Sequence, residues 1–259
     1  MQLADLLNIS RTLVYRFAWP KRHECILCGR FVFRFLPYRG GSAYAPPLMQ
    51  VSEVIGSDPD QFACPWCRCH DRERHLFMYM TAFGLLANLS GKRVLHFAPE
   101  KRLSLRMAAL RPEQYVKCDL FPQSPDVKKV DLLEMPFEPS SFDLVIANHV
   151  LEHVSDDQQA LVEMTRVLKP GGYAILQTPY SPMLHRTWSD PGINNERARL
   201  QAYGQEDHVR LYGRDIFERF ESTGLKSLVK QHGQLLAHIE GRKYGVNERE
   251  PFFLFQKPF

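Results

Sequence analysis

From Gly91 onward the chain alternates short apolar runs with stretches of helical periodicity, and this alternation constrains the fold more than any other feature. Arg93-Val-Leu-His-Phe97 reads as a buried strand, followed by a helix through Leu110 that stops before Pro112. Residues 115–120 and 129–132 read as a second strand and a weaker third, and 142–147 as a strong fourth. A helix capped by Ser155 then presents Ala160, Leu161, Met164 and Leu168 on one face and ends at Pro170-Gly171-Gly172. Residues 173–178 form a fifth strand. A helix capped by Asp215 (Ile216, Phe217, Phe220) ends at Gly224, and closing strands lie near 225–231 and 252–257. Such alternation predicts an α/β fold, with seven strands in a mostly parallel sheet covered by helices on both faces. Ligands of such sheets bind beyond the carboxyl ends of the strands, so the residues there are the candidates for function.

The first ninety residues have a different texture. Leu3, Leu6, Leu7, Val14 and Phe17 recur at helical spacing, which predicts an amphipathic helix over 3–18 that stops before Pro20. The favoured reading packs its apolar face on the body of the protein, and the alternative lays it on a membrane surface. Residues 20–70 are loop-rich, with Gly40-Gly41 and Pro46-Pro47, and need a staple. Two pairs, Cys25-x-x-Cys28 and Cys64-x-x-Cys67, supply one: four thiolates suffice for a closed tetrahedral zinc site. Cys69 or His70 could replace one of these ligands, and Cys118 stands alone. A helical pattern returns over 71–89 (Leu76, Met80, Phe83, Leu86). The chain therefore divides into residues 1–90, a helix, a zinc-binding knuckle region and a linking helix, and residues 91–259, the sheet domain.

Composition excludes several classes. With 259 residues, 44% apolar and 24% charged, the chain has ordinary globular usage rather than that of a disordered, collagenous or coiled-coil protein. A formal net charge of +4 permits an anionic partner without arguing for one. No apolar run approaches the roughly 20 residues needed to span a bilayer. Asp5, Arg11 and Arg16 interrupt the only candidate targeting segment, 1–19, so a cytoplasmic protein is expected.

The most specific block runs Val130-Asp-Leu-Leu-Glu-Met-Pro-Phe-Glu-Pro-Ser-Ser-Phe-Asp-Leu-Val-Ile-Ala-Asn-His-Val-Leu-Glu-His-Val154 and continues at Arg166-Val-Leu-Lys-Pro-Gly-Gly-Tyr-Ala-Ile-Leu176. It closely resembles the class I S-adenosylmethionine-dependent methyltransferases of type 11, and the resemblance covers roughly residues 91–259. It implies a Rossmann-like sheet and S-adenosylmethionine as cofactor. By position, the Asp119 carboxylate, followed by Leu120, accepts hydrogen bonds from the ribose hydroxyls, and Asp131 with the backbone of Leu132 sits at the adenine amino group. Asn148 and His149 face the methionine part. The first motif departs from the family: where most members carry an acid and glycines, this chain reads His96-Phe-Ala-Pro-Glu100. The cofactor has no phosphate, so the demand for glycine is weaker. Ala98 is small, Pro99 suits a first helical turn, and Glu100 is placed to pair with the cofactor's amino group. A His-x-Ala-Pro-Glu signature resembles a bacterial subgroup associated with surface-polysaccharide biosynthesis.

Methyl transfer from a sulfonium needs alignment above all, and a hydroxyl acceptor also needs a base. His149, His153 and His208 are the candidates, with Asp207 as an orienting partner. His208 is preferred because Glu206-Asp-His-Val-Arg-Leu-Tyr-Gly213 resembles an active-site segment of the subgroup. Ubiquinone-pathway and small-RNA-end O-methyltransferases carry an acid-rich version of the His149, Glu152, His153 turn that binds a divalent metal. Here His149 replaces an acid, so no second, catalytic metal is expected. The long stretch 179–212, with Tyr180, His185, Trp188, Arg197, Arg199, Tyr203, Arg210 and Tyr212, reads as an acceptor lid whose aromatics stack on a sugar or base. The expected activity is O-methylation of a sugar hydroxyl or glycan precursor, the acceptor being a small molecule or glycan. An RNA base methyltransferase with a zinc knuckle is the rival, and a non-catalytic scaffold is the third reading.

Overall fold

Strict alternation of side chains across the strands builds two apolar layers. In the computed structural model, which describes residues 3–259 and side chains from residue 9 onward, the chain forms a two-stranded ribbon and a seven-stranded sheet. The ribbon pairs β1 (His23–Cys25) with β2 (Arg30–Val32), preceded by α1 (Leu3–Phe17) and followed by α2 (Pro47–Val51) and α3 (Asp71–Ala82). The side chains of Leu3, Leu6 and Leu7, expected to face the body of the protein, lie outside those described. The sheet strands are β3 (Arg93–Phe97), β4 (Gln114–Asp119), β5 (Lys128–Lys129), β6 (Phe142–Ala147), β7 (Leu168–Ile175), β8 (Lys226–Ser227) and β9 (Leu254–Gln256). Their order is β5-β4-β3-β6-β7-β9-β8, with β9 antiparallel to both neighbours and the other pairs parallel. The helices α4 (Lys101–Ala109), α5 (Asp157–Val167), α6 (Glu196–Tyr203), α7 (Ile216–Glu221), α8 (His232–Leu235) and α9 (Gly241–Tyr244) complete the chain.

One face of the sheet presents Leu95, Phe97, Val145, Ala147, Ala174, Phe253 and Phe255 to α5 and α7. The other presents Val94, Leu144, Ile146, Ile175 and Leu254 to α3 and α4, through Leu76, Met80, Leu103 and Met107. α3 thus covers the sheet, although it precedes the strands and lies in the N-terminal segment of the sequence division. The parallel register sets Phe97 level with Cys118 and Ala147, so β3, β4 and β6 end together and their next residues share one edge.

Local details differ from the sequence reading. α5 is capped by Asp156, whose carboxylate accepts the Gln159 N–H, rather than by Ser155. Asp215 precedes α7 but makes no side-chain cap, because its carboxylate accepts both the backbone N–H and the hydroxyl of Thr187. The third strand shrinks to two residues that end before Val130.

Candidate functional site

The turn from β3 into α4 carries backbone strain at the shared edge. Ala98 has φ +45°, a left-handed conformation that disfavours a side chain by roughly 1–2 kcal/mol, and its N–H is anchored to the Cys118 carbonyl at 2.8 Å. Glu100 stands at the N-cap of α4 but turns its carboxylate inward, where it is buried. Oε1 accepts from Asn148 Nδ2 at 2.5 Å and lies 3.8 Å from Arg72 Nε; Oε2 is 3.2 Å from His96 Nε2. His96 Nδ1 meets the Tyr115 hydroxyl at 2.8 Å. Burial opposes ionisation of Glu100, yet His96 and Arg72 hold its pKa below the ordinary glutamate value. Asn148 Oδ1 is left buried with no hydrogen-bond partner, an acceptor at the end of β6 that awaits a donor. Asp119, half-buried, and Asp131, exposed, each spend one oxygen on an N–H two residues ahead, at 2.8 and 2.9 Å. Their other oxygens make no hydrogen bond among the described residues. Leu132 is buried and Leu120 exposed.

A second cluster adjoins the first through the Asn148-His149 bond. His149 sits at φ +55°, its N–H donated to the Gln177 carbonyl. Its buried ring lies between two carboxylates: Nδ1 is 3.4 Å from Glu152 Oε1, and Nε2 is 3.3 Å from Glu250 Oε1. Burial pulls its pKa down, but Glu152 and Glu250 together push it up to about 9, so the ring is charged near neutrality. The carboxylates, despite burial, are drawn down to about 2. The chain of contacts continues from Glu250 Oε2 to His75 Nδ1 at 3.4 Å and from His75 Nε2 to His232 Nδ1 at 2.9 Å.

On the other side of Glu152 stand His153 and His208, their rings nearly perpendicular at 4.7 Å. His208 is buried, and its Nδ1 lies 3.0 Å from the Tyr203 carbonyl. A carbonyl only accepts, so Nδ1 carries the proton and Nε2 keeps its lone pair, buried and without a partner. Burial lowers the pKa of His208, keeping it neutral. Asp207 orients His153 instead, with Oδ2 at 3.1 Å from Nδ1. Glu152, His153 and His208 each offer one atom within 4.8 Å of the others, a set that could hold a metal ion.

The stretch 179–212 is not an open aromatic lid. Tyr180 and Tyr212 belong to the main core, and Tyr203 and Leu211 pack with Trp188 and Met49 in a satellite core around α6. Arg210 is buried, donating to the carbonyls of Leu151, Val154 and Ser155. These side chains pack and brace the site's walls instead of forming the expected stacking surface. Among the described residues, Arg197 stays exposed and Arg199 partly so.

The cysteine pairs converge as their spacing predicts. Cys25, Cys28, Cys64 and Cys67 place their sulfurs within 4.8 Å of one another, with Cys25–Cys67 at 3.7 Å and Cys28–Cys64 at 3.9 Å. Tetrahedral thiolates at about 2.3 Å from zinc stand about 3.8 Å apart. Gly29 and Arg68, each just after a pair, share a left-handed φ near +65° that closes both knuckles alike (+67° and +64°). Cys69 Sγ lies 3.4 Å from Cys25 but outside the set of four, and His70 stacks on Phe62 instead.

Glu250, His75 and Tyr115 were not among the sequence candidates. Glu250 lies in a loop before β9, 101 residues from its partner His149, and no local pattern marks it.

Residues 84–176 match the family model described as a methyltransferase domain. A probable S-adenosylmethionine-dependent methyltransferase of Mycolicibacterium smegmatis is 31% identical over 124 residues, 46% of this chain and 44% of that one. Demethylmenaquinone methyltransferase of Staphylococcus aureus is 46% identical over 54 residues, 21% of this chain and 22% of that one. The chain thus spans less than half the length of the curated relatives it matches. Among solved structures, an S-adenosylmethionine-dependent methyltransferase from Mesorhizobium loti covers 68% of this chain and 94% of its own, at 18% identity and a TM-score of 0.47. Over residues 84–176 the chain is thus similar to a methyltransferase domain.

Proposed function

We propose that the chain transfers a methyl group from S-adenosylmethionine to a hydroxyl, most simply of a sugar or glycan precursor. The observation that carries this reading is the buried, neutral His208, whose Nε2 lone pair has no partner and lies beside Glu152. The residues at the strand ends fit the cofactor. Asn148 Oδ1 is an orphaned acceptor for an ammonium group, Asp119 has an oxygen to spare for ribose hydroxyls, and Asp131 and Leu132 follow β5 where the adenine belongs. Glu100, held by His96 and Asn148, would add negative charge that favours a cationic cofactor. When bound, the cofactor supplies an electrophilic methyl with a neutral thioether as leaving group. The protein's part is to align the acceptor oxygen with that methyl and to receive its proton at His208 Nε2. His149, already charged, fixes Glu152 and takes no proton. We further propose that the four cysteines hold a structural zinc that fixes residues 20–70.

The test is methyl transfer from radiolabelled S-adenosylmethionine into host extract, separated into nucleic-acid, glycan and small-molecule fractions. Label in glycan or nucleotide-sugar fractions, lost in His208→Asn, supports the reading. Nuclease-sensitive label, or full transfer by His208→Asn, overturns it. The base is expected to be worth about 10²–10⁴ in kcat.

A further inference from the structure

We infer that α1 and the adjoining ribbon dock the protein on an anionic phospholipid surface. From residue 9 onward the helix turns its apolar residues outward. At 100° per residue, Ile9, Leu13, Phe17 and the neighbouring Val14 share one side, and all four are exposed: Val14 is 53% and Phe17 63% exposed. Among the side chains described, Thr12, Tyr15 (its ring edge-on to Phe33) and Arg16 face the protein. Thr12 is buried and accepts from Arg68, Arg16 Nε donates to the Pro65 carbonyl at 2.8 Å, and the Tyr15 carbonyl accepts the Phe33 N–H. Of this stripe, Phe17 meets the Trp66 ring edge-on at 5.4 Å, whereas Ile9, Leu13 and Val14 belong to no core cluster. The stripe continues into Trp19, 84% exposed, and Phe31. Trp19 and Phe31 line an open cleft of about 680 Å³ with Trp66, Lys21 and Arg30.

Charge selects the occupant. Between residues 9 and 34 the exposed ionisable groups are Arg11, Lys21, Arg22, Arg30 and Arg34, and the one acid in that span is the half-buried Glu24. A second copy seated on this face would bring like charges together, whereas an anionic bilayer complements both the apolar stripe and its cationic margin. An RNA would use the cations but leave Ile9, Leu13 and Val14 in water. No helix among the described residues is long and apolar enough to cross a membrane, so the contact is one of lying on the surface. A lipid phosphate entering the cleft would meet Lys21 and Arg30 while Trp19 sits at headgroup depth.

Flotation of the full chain with phosphatidylcholine vesicles, with and without phosphatidylglycerol at roughly a third of the lipid, tests it. Expected are binding to the anionic vesicles only, reversal by salt, and a blue shift of tryptophan emission that Trp19→Ala removes. Ile9→Ser/Leu13→Ser/Val14→Ser should cut partitioning about tenfold or more. Its metal content and thermal unfolding should stay as in the parent, which separates lost docking from lost folding. No flotation with either vesicle, or undiminished flotation by the triple variant, overturns the proposal. So does self-association through this face without vesicle binding, or binding to polyribonucleotide that the serine substitutions do not affect.

Discussion

The pairing of His149 with two buried carboxylates makes a quantitative prediction about pH. Its pKa stands at about 9 against an ordinary 6.5. At about 1.4 kcal/mol per unit, that difference corresponds to about 3 kcal/mol of stability at neutral pH. A raised pKa means that this contribution is fully present below about pH 6.5 and is lost as pH rises through about 9. The carboxylates, lowered to about 2, report the same pairs from the other side: their contribution is present above 4.5 and lost as pH falls through 2. The two views describe one interaction and are not added. The side chain is only 6% exposed, so solvent screening removes little of it.

Glu250→Gln isolates half of the arrangement. It keeps the shape of the side chain and leaves His149 paired with Glu152, the larger of the two influences that raise its pKa. The variant should lose about one unit of the shift, or about 1–2 kcal/mol. Urea unfolding of parent and variant at pH 6.5 and near pH 9.5 measures it, because tyrosine, lysine and thiol titrations common to both cancel in the difference. The stability gap should narrow at the higher pH by about that amount. Nuclear magnetic resonance titration of the His149 ring should show its pKa falling in the variant. A gap that does not change with pH, together with an unmoved ring pKa, would refute the charged assignment.

Asp119→Ala should weaken S-adenosylmethionine binding, read by isothermal titration calorimetry, by about tenfold or more, the worth of a charge-assisted hydrogen-bond pair. Its thermal stability without ligand should hardly change, since its one internal bond is a local turn on a half-buried residue. Cys64→Ser should release the proposed zinc, measured by a chromogenic chelator. It should also expose residues 20–70 to proteolysis, because the proposed metal would tie together a region with few strands.

What could be read from the sequence followed from how far apart the interacting groups lie along the chain. The sheet was legible because each strand is a short apolar run whose alternation both faces need, and because Asp119 and Asp131 fall where their strands stop. The cysteine cluster was legible because two knuckles with the same spacing carry the same local geometry. Three things were not. The apolar spacing of α1 reveals that a face exists but not which way it turns, and from Ile9 onward it turns outward. The aromatics of 179–212 have the composition of a stacking surface, yet Tyr180, Tyr203 and Tyr212 close cores instead. Glu250 reaches His149 only through the fold, so no pattern near Pro251 could announce it.

The site's acid–base logic turns on Glu152, which lies between a charged histidine and a neutral one. His149 is tied to Glu152 and Glu250, whereas His208 meets the same Glu152 from the other side with its single proton committed to the Tyr203 carbonyl. Burial lowers the pKa of His208, and the Glu152 charge works against that by favouring the protonated ring. Glu152→Gln removes that charge. A base is active only when neutral, so the acid limb of kcat against pH should move to lower pH in the variant. His149 should meanwhile lose the larger of its two supports and titrate lower than in the parent. The two histidines then shift in the same direction for one reason, the loss of a shared carboxylate. An acid limb that stays in place or moves upward while the His149 pKa falls would mean that His208 is not the group that accepts the proton.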